Sequence, residues 1–540
     1  MNTLVTWIIC IGIAAASLLA SRSLMHYFQL ESYQFAGYFR TIRRNWKKAV
    51  LPGVIMTVYL TLLLLIHRSI DRFLAEGNLL RLPLVLAGFA LALLGGWWCR
   101  GILQVRKAKK PFVVTMRVKR TYIVSVVVFT LIIAALAFLL PGEEPRFYML
   151  GLFPLLMPVW IALGGLCAWP VEKLVSEMYF RDAQKKLRVR PDLIKIGITG
   201  SYGKTSVKFI MKTILEEKFQ VLATPSSFNT PMGVTRIIRE KLMPAHQVFI
   251  AEMGARHVGD IKELCRLVHP HHGVLTSVGP QHLDTFRTIE RIKNTKYELM
   301  DAIPDGGCCF FPDDGAICRE LYDKTMKQKR LCSLRGGREA KVWASEVSVS
   351  PAGSSFTLHA GEESVACTTR LLGEHNIQNV LLAAMVGLHL GMTLRQVARG
   401  ISRIEPVEHR LQLIPSKGVT IIDDAFNSNP NGARAALRVL RDFPGRRIII
   451  TPGMVELGGE EAVFNREFGL MMADCVDVAI LVGKKHTAPI AQGLADGGFP
   501  KECTYVTASL EEAAGILHQI GRPGDVALFE NDLPDNYSEN

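Results

Sequence analysis

Paired cysteines are missing from this sequence. Eleven cysteines are spread over 540 residues, with no Cys-x-x-Cys pair; Cys10, Cys99 and Cys167 lie in apolar stretches and Cys308 and Cys309 are adjacent. That scatter argues against a disulfide framework and a structural zinc ribbon, and a reducing compartment is the simpler expectation. No Lys or Arg precedes the first apolar run, so residues 3–20 lack the charged start of a secretory leader. No nucleophile–base–acid triad is apparent either, which turns attention from covalent catalysis to bound cofactors.

What is present begins with length. A chain of 540 residues implies three or four folding units. Its mean hydropathy is positive although 21% of its residues are charged, a mixture that indicates a membrane part joined to a soluble part. The net charge of +14 lies largely between apolar runs, so nucleic acid is not expected as a partner. Those runs occupy 3–20, 49–66, 82–99, 121–140 and 148–168, each near the roughly 20 residues that cross a bilayer as a helix.

Arg22, Arg40, Arg43, Arg44, Lys47 and Lys48 follow the first run. Arg68, Asp71, Arg72, Glu76 and Arg81 make a mixed loop. Arg100, Arg106, Lys107, Lys109, Lys110, Arg117, Lys119 and Arg120 make a densely basic one. Pro141-Gly-Glu-Glu-Pro145 is acidic apart from Arg146. The positive-inside rule puts the N-terminus outside, and five crossings deliver residue 169 onward to the cytoplasm. The basic loops serve topology, with a further grip on anionic lipid or a polyanionic precursor left open. Trp97, Trp98 and Trp169 sit at span ends, as interfacial aromatics do. Residues 171–190 read as a charged connector whose spacing suits an amphipathic helix at the inner face.

The remainder is organised around Ile196-Gly-Ile-Thr-Gly-Ser-Tyr-Gly-Lys-Thr-Ser206. A buried strand breaks into a glycine turn, and Lys204-Thr205-Ser206 opens a helix. That geometry aims backbone N–H groups and a helix N-terminus at an anion. Lys204 would reach the outer phosphates of a nucleotide, and the Thr205 hydroxyl would ligate Mg²⁺. The spacing departs from the general phosphate loop in one place, Ile198 standing five before Gly203 where glycine is usual. Glu252 closes one apolar run, 248–253, and His282 follows another, 273–278. Strand ends of this kind form the ligand crevice of a parallel sheet, and a carboxylate there is placed to hold Mg²⁺.

In order, Thr199-Gly-Ser-Tyr-Gly-Lys-Thr205, Thr224-Pro-Ser-Ser-Phe-Asn-Thr-Pro-Met-Gly233, Glu252-Met-Gly-Ala-Arg256, His282, Lys296, His375-Asn-Ile-Gln-Asn379 and Asp423-Asp-Ala-Phe-Asn-Ser-Asn-Pro430 resemble the motifs of the Mur ligase family, its MurF branch above all. The resemblance covers about 190–540. For that part it implies α/β: a Mur-ligase-type P-loop ATPase domain and a C-terminal doubly wound domain, which here follow the α-helical membrane domain that the apolar runs predict. The boundaries expected are 1–170, the connector 171–190, 191–406 and 407–540.

The resemblance also implies roles. Thr199, Gly200, Ser201, Gly203, Lys204, Thr205 and Ser206 hold the nucleotide phosphates, and Asn376, Asn379, Arg410 and Asp424 complete the nucleotide site. Thr205 and Glu252 hold a first Mg²⁺, and His282 sits at a second. Lys296 matches a lysine that many members carbamylate with CO₂, an oxygen ligand made from an amine. Lys204, His282 and Lys296 are the expected catalytic set, and Asn229 and Thr230 face the acceptor. Residues 340–370 read as an inserted β-hairpin. From Glu408 onward the strand-like runs 419–424, 447–451, 478–482 and 525–529 mark the second α/β domain, with Gly453-Met-Val-Glu-Leu-Gly458 also in agreement.

The activity implied is ATP-dependent joining of a carboxylate to an amine through an acyl phosphate, with ADP and phosphate as products. The substrates would be a cell-wall precursor as in MurF (a UDP-MurNAc tripeptide and D-Ala-D-Ala) or a lipid-linked or polymeric relative. The expected setting is a bacterial-type plasma membrane, with lipid and envelope-synthesis proteins as partners.

Two departures bear on the substrates. Membrane spans stand where MurF enzymes carry a UDP-sugar-binding domain. Glu530-Asn-Asp-Leu-Pro-Asp-Asn-Tyr537 stands where they have a Lys-Gly-Ser-Arg type loop. Polyglutamate synthases and MurT-type amidation subunits also lack the UDP-binding unit, though the MurT cysteine ribbon is missing here. Of other classes, an ATP-driven transporter would show an ABC-type signature and a strand ending in Asp-Glu, and neither appears. A non-catalytic nucleotide-binding scaffold would have lost its metal ligands, yet Glu252, His282 and Lys296 are all present.

Overall fold

A computed structural model describes residues 3–73, 80–102, 111–140, 142–226, 228–414, 418–426 and 428–533. Glu76, the basic stretch Arg106 to Lys110, Pro141, Asn427 and the tail from Pro534 to Tyr537 lie outside the described residues, as do the side chains of Asp71, Arg72, Glu143, Glu144 and Arg146. The chain divides into two compact units, one ending at Glu177 and the other beginning at Met178.

The first unit is helical. Among the described residues five stretches are long and apolar enough to cross a membrane: Thr3–Ala20, Trp46–Ile70, Arg81–Gly101, Met116–Leu139 and Tyr148–Arg188. Their inward faces bury Ile13, Met56, Phe129 and Ile161. Their outward faces are just as apolar, with Leu62, Leu94, Ile123, Leu131 and Leu139 all exposed. Helices apolar on both faces are of the kind that can cross a bilayer. The helices Thr3–Ala20 and Arg81–Ile102 approach closely: a side chain at Gly96 would collide with the Ala16 carbonyl. Glu172, 8% exposed, takes both nitrogens of the Arg120 fork at 2.6 and 2.9 Å.

The connector is not a separate element. Residues 171–188 are the second half of one helix, Met157–Arg188, and Pro170 sits inside it. Proline there removes one backbone donor without ending the helix. From Met178 this helix belongs to the second unit, where Phe180, Ala183 and Leu187 enter the core. Lys186 Nζ donates to the carbonyls of Ile238, Arg239 and Leu242 at 3.3, 2.8 and 3.3 Å. They lie at the C-terminal end of the helix Pro231–Lys241, where a cation is favoured.

The second unit holds two sheets. The first contains β1 (Ile194–Thr199), β2 (Val221–Ala223), β3 (Val248–Glu252), β4 (His272–Leu275), β5 (Cys308–Pro312), β6 (Lys329–Ser333), β7 (Ala340–Ser350), β8 (Gly353–Ala360) and β9 (Glu363–Thr369), in the order β2-β3-β1-β4-β5-β6-β7-β8-β9. β1 to β7 pair in parallel; β7, β8 and β9 pair antiparallel. The expected hairpin is therefore a three-stranded meander. Strand residues alternate between two cores: Val248 and Ile250 face one layer of helices, Phe249 and Ala251 the other. Burial on both faces explains why these strands read as unbroken apolar runs.

The second sheet contains β10 (Gln412–Ile414), β11 (Thr420–Asp424), β12 (Arg447–Thr451), β13 (Val478–Val482), β14 (Thr504–Thr507) and β15 (Val526–Glu530). Its order is β10-β11-β15-β12-β13-β14, parallel except for β10.

Candidate functional site

β1 lies between β3 and β4, and the chain leaves it in one direction for β2 and β3 and in the other for β4 and β5. This is the switch point of the sheet, where a crevice opens beyond the carboxyl ends of the strands. The turn after β1 carries Gly200 at φ 153° and Gly203 at φ 76°, and the helix Lys204–Leu215 starts directly after it. Its neighbours strap it down. Ser201 Oγ donates to the Gly279 carbonyl at 3.0 Å, and the Tyr202 hydroxyl donates to the Pro280 carbonyl at 2.6 Å. On the other side Thr199 Oγ1 donates to the Met253 carbonyl at 3.1 Å. The loops bearing Glu252 and His282 are thus fixed to the glycine turn.

Glu252, 1% exposed, is the centre of the arrangement. The Thr205 hydroxyl lies 3.1 and 3.0 Å from its two oxygens. Asn229 Nδ2 donates to it at 3.1 Å, and Lys208 Nζ pairs with it at 2.9 Å. Lys208 also donates to the Ser226 carbonyl, so lysine and asparagine together tie the 224–230 segment to this carboxylate. The Thr230 hydroxyl is used in capping the helix Pro231–Lys241, accepting from Gly233 N. Lys208 did not stand out in the sequence. Its place one helical turn after Lys204, on the same face, was the available signal.

The lysines are drawn out of water, Lys204 in part and Lys296 almost wholly. Burial pushes Lys204 down to about 8, opposed by Glu252 and reinforced by Arg410; its ammonium bonds to the Gly200 and Ser201 carbonyls at 2.7 and 3.0 Å. Lys296, on the helix Ile289–Asp301, is 2% exposed. Burial, then the charge of Lys204, brings its amine well below the usual lysine range. An ordinary surface lysine is thereby excluded. His282 sits at φ 53°, and burial lowers its pKa; its Nδ1 lies 2.6 Å from Glu456 Oε2. Lys204 stands within electrostatic reach of Glu252, Arg410, His282 and Lys296.

The other expected residues are distributed around this centre. A Cβ on Gly203 would stand 3.0 Å from Asn379 Oδ1, which puts Asn379 against the glycine turn. Asn376 is turned to its own helix start, with Nδ2 on the Leu372 carbonyl at 2.9 Å. From the second sheet Arg410 stacks on Phe426 at 4.3 Å and feels Asp424, Glu252 and Glu530. Burial raises Asp424 to about 6 and Glu530 well above the carboxylate range; each also feels the other.

Thr205 and Glu252 offer adjacent hard oxygens, the donor class that Mg²⁺ takes together with phosphate and water. Among the described residues no three His, Cys, Asp or Glu side chains gather as a metal-holding group. A cation here would be completed by oxygens beyond those of Thr205 and Glu252, phosphate and water being the usual source.

Fold and site define a two-domain α/β enzyme built around a phosphate loop. Residues 198–387 match the Mur ligase middle domain, and 409–530 match the Mur ligase, glutamate ligase domain. The UDP-N-acetylmuramoyl-tripeptide--D-alanyl-D-alanine ligase of Mycobacterium tuberculosis is 34% identical over 363 residues, 62% of this chain and 69% of that one. The Bacillus subtilis enzyme of the same description is 28% identical over 340 residues, 62% and 72%. The chain belongs to the Mur ligase family, ATP-dependent ligases that form amide bonds. In fold it is similar to MurF from Acinetobacter baumannii, with a TM-score of 0.61 at 24% identity over 67% of this chain and 79% of that one. It is also similar to the Thermotoga maritima MurF ligase in complex with ADP, with 0.60, 24%, 67% and 82%.

Proposed function

We propose that the protein is a membrane-anchored ligase that joins a carboxylate of a peptidoglycan precursor to an amine at the expense of ATP. The observation that carries this is Glu252, set 3.0 Å from the Thr205 hydroxyl at the mouth of the phosphate loop, with Arg410 of the second sheet in electrostatic reach. By likeness to the D-alanyl-D-alanine ligases, the acceptor is a UDP-MurNAc tripeptide or a lipid-linked or polymeric relative, and the amine is a dipeptide or amino acid.

In this reading the substrate carboxylate attacks the γ-phosphorus of ATP, the bond to the β-phosphate oxygen breaks, and ADP leaves. The amine nitrogen then attacks the acyl phosphate carbonyl, inorganic phosphate departs, and the nitrogen's proton goes to solvent. Thr199, Gly200, Ser201, Gly203 and Ser206 cradle the phosphates, and the Lys204 ammonium offsets the charge gathered on them. Asn379, Arg410 and Asp424 hold the rest of the nucleotide, Asn376 supports Asn379 from behind by accepting from its Nδ2 at 3.3 Å, and Asn229 and Thr230 face the acceptor. Two Mg²⁺ ions, one held by Thr205 and Glu252 and one by His282 with Lys296, would supply charge neutralisation at phosphate and carboxylate. Lys296 suits that role as a carbamate, because burial favours the neutral amine that takes up CO₂. Seating of the second sheet over the first excludes water from the acyl phosphate.

The helices would place the N-terminus outside and residues 178 onward in the cytoplasm, where ATP is available. The test is mass spectrometry of products from the detergent-purified chain given ATP, Mg²⁺, candidate precursors and amino acids or dipeptides. ADP release that needs both a carboxylate and an amine supports the ligase. ADP release that needs neither would favour a transporter, and nucleotide binding without turnover a scaffold.

A further inference from the structure

The segment Gly453 to Gly458 follows β12 of the second sheet, and Glu456 within it stands at φ 65°, a left-handed conformation uncommon for glutamate. Facing it, His282 stands at φ 53°. Their side chains meet at 2.6 Å through Glu456 Oε2 and His282 Nδ1, with 19% and 16% exposure. The Arg256 guanidinium, four residues beyond Glu252, lies 3.6 Å from the other oxygen, Oε1. Gly458 rests against the same rim, where an added Cβ would stand 3.5 Å from the Asp284 nitrogen. One carboxylate of the second sheet therefore receives both rim segments of the first, the one after Glu252 and the one bearing His282. Two left-handed backbone positions joined by a single short hydrogen bond form the kind of strained contact that concentrates at functional sites.

We propose that Glu456 is a positioning residue for the divalent-cation site, fixing the His282 imidazole so that only Nε2 presents a lone pair to the cation. This rests on His282 as a cation ligand, as proposed above. A carboxylate can only accept, and a neutral imidazole has one N–H and one lone pair. The contact at Nδ1 therefore selects the tautomer with its hydrogen on Nδ1. Ligating histidines are ordinarily held by a carboxylate in this way. Here the carboxylate comes from the other domain, so the imidazole is oriented only when the second sheet is seated. Cation binding and domain closure are then linked, each strengthening the other by the same factor. An imidazole also suits a transition-metal ion better than Mg²⁺, which makes Mn²⁺ the probe of choice.

The experiment measures Mn²⁺ affinity by electron paramagnetic resonance, using the full chain in detergent with a non-hydrolysable ATP analogue. Glu456→Ala, which removes the acceptor, is expected to weaken Mn²⁺ binding by about 10–100-fold while leaving metal-free ADP affinity unchanged, which also reports an intact fold. Glu456→Gln, whose side-chain carbonyl can still accept from Nδ1, should recover part of the loss. The double variant Glu456→Ala/His282→Ala should bind Mn²⁺ no more weakly than His282→Ala alone. Wild-type Mn²⁺ affinity in Glu456→Ala, or losses that simply add in the double variant, would overturn the proposal while His282 remained a ligand. Wild-type affinity in His282→Ala would overturn both the ligand reading and this one.

Discussion

At the scale of single residues, the site is defined by charges buried at a cost. Lys208 and Glu252 are 0% and 1% exposed and pair at 2.9 Å; breaking a buried pair by removing one partner costs about 3–5 kcal/mol. Lys208→Met should therefore lower the thermal unfolding midpoint by several degrees, and adding Glu252→Gln should restore part of it. An unchanged midpoint in the single variant would show that Glu252 is compensated elsewhere. Lys204 behaves oppositely. Its pKa falls from 10.5 to about 8 on folding, so between those values the unfolded chain binds the extra proton and stability rises with pH. Below about pH 8 the cost of the buried ammonium is fully present. Lys204→Ala should abolish turnover yet raise the midpoint at pH 7, with the gain shrinking toward pH 10.5; a lower midpoint at pH 7 would refute this. Lys296→Ala should lose activity and regain part of it with short carboxylates, whereas full activity would make the lysine dispensable. Glu252 and His282 were legible because each closes or follows a strand-like run, and Lys204 because it follows a glycine turn and opens a helix. Lys208 and Glu456 were not, because their importance lies in partners 44 and 174 residues away.

At the scale of elements, legibility followed burial. β1, β3 and β4 have both faces covered, so their apolar runs stood out. β9 alternates exposed and buried positions at the edge of the sheet, and polar Glu363, Ser364 and Thr368 hid it. The helix Met157–Arg188 reads as two pieces in the sequence, because its apolar first half gives way to a charged, amphipathic second half, although the chain carries through Pro170 without a break. The glycine turn tests how tightly one element can constrain another. A Cβ on Gly200 would collide with Thr276 Oγ1 and meet the Ser277 backbone at 2.9 and 3.0 Å, and backbone cannot swing aside. Gly259, at φ 91°, has nothing within 4 Å. Gly200→Ala should abolish nucleotide binding and lower stability by about 1–3 kcal/mol. Gly259→Ala, strained but uncrowded, should keep nucleotide affinity. Equal losses in the two variants would mean that backbone conformation, not the contact with the β4 loop, shapes the turn.

At the scale of the whole molecule, charge is divided as unevenly as hydropathy. Residues 1–177 carry 19 Lys or Arg against 7 Asp or Glu, and between Glu76 and Glu143 there is no acidic residue at all. The remaining two-thirds of the chain are nearly neutral, so the excess belongs to the helical unit and not to the catalytic fold. Such an excess attracts the anionic inner leaflet by about 1 kcal/mol per basic residue near the surface. It also opposes translocation of the loops that bear it. With the five apolar stretches found among the described residues, this bias predicts one orientation, the one proposed above, which a reporter can test. Alkaline carbonate should leave the chain in the membrane fraction. A phosphatase reporter active only outside the cytoplasm should be active at the N-terminus and silent when joined after residue 178. Replacing Arg106, Lys107, Lys109 and Lys110 by glutamine should blur that contrast, because those four carry much of the bias. Reporter activity after residue 178 in the unaltered chain would place the phosphate loop away from ATP, and the ligase reading would then fail whatever its site geometry.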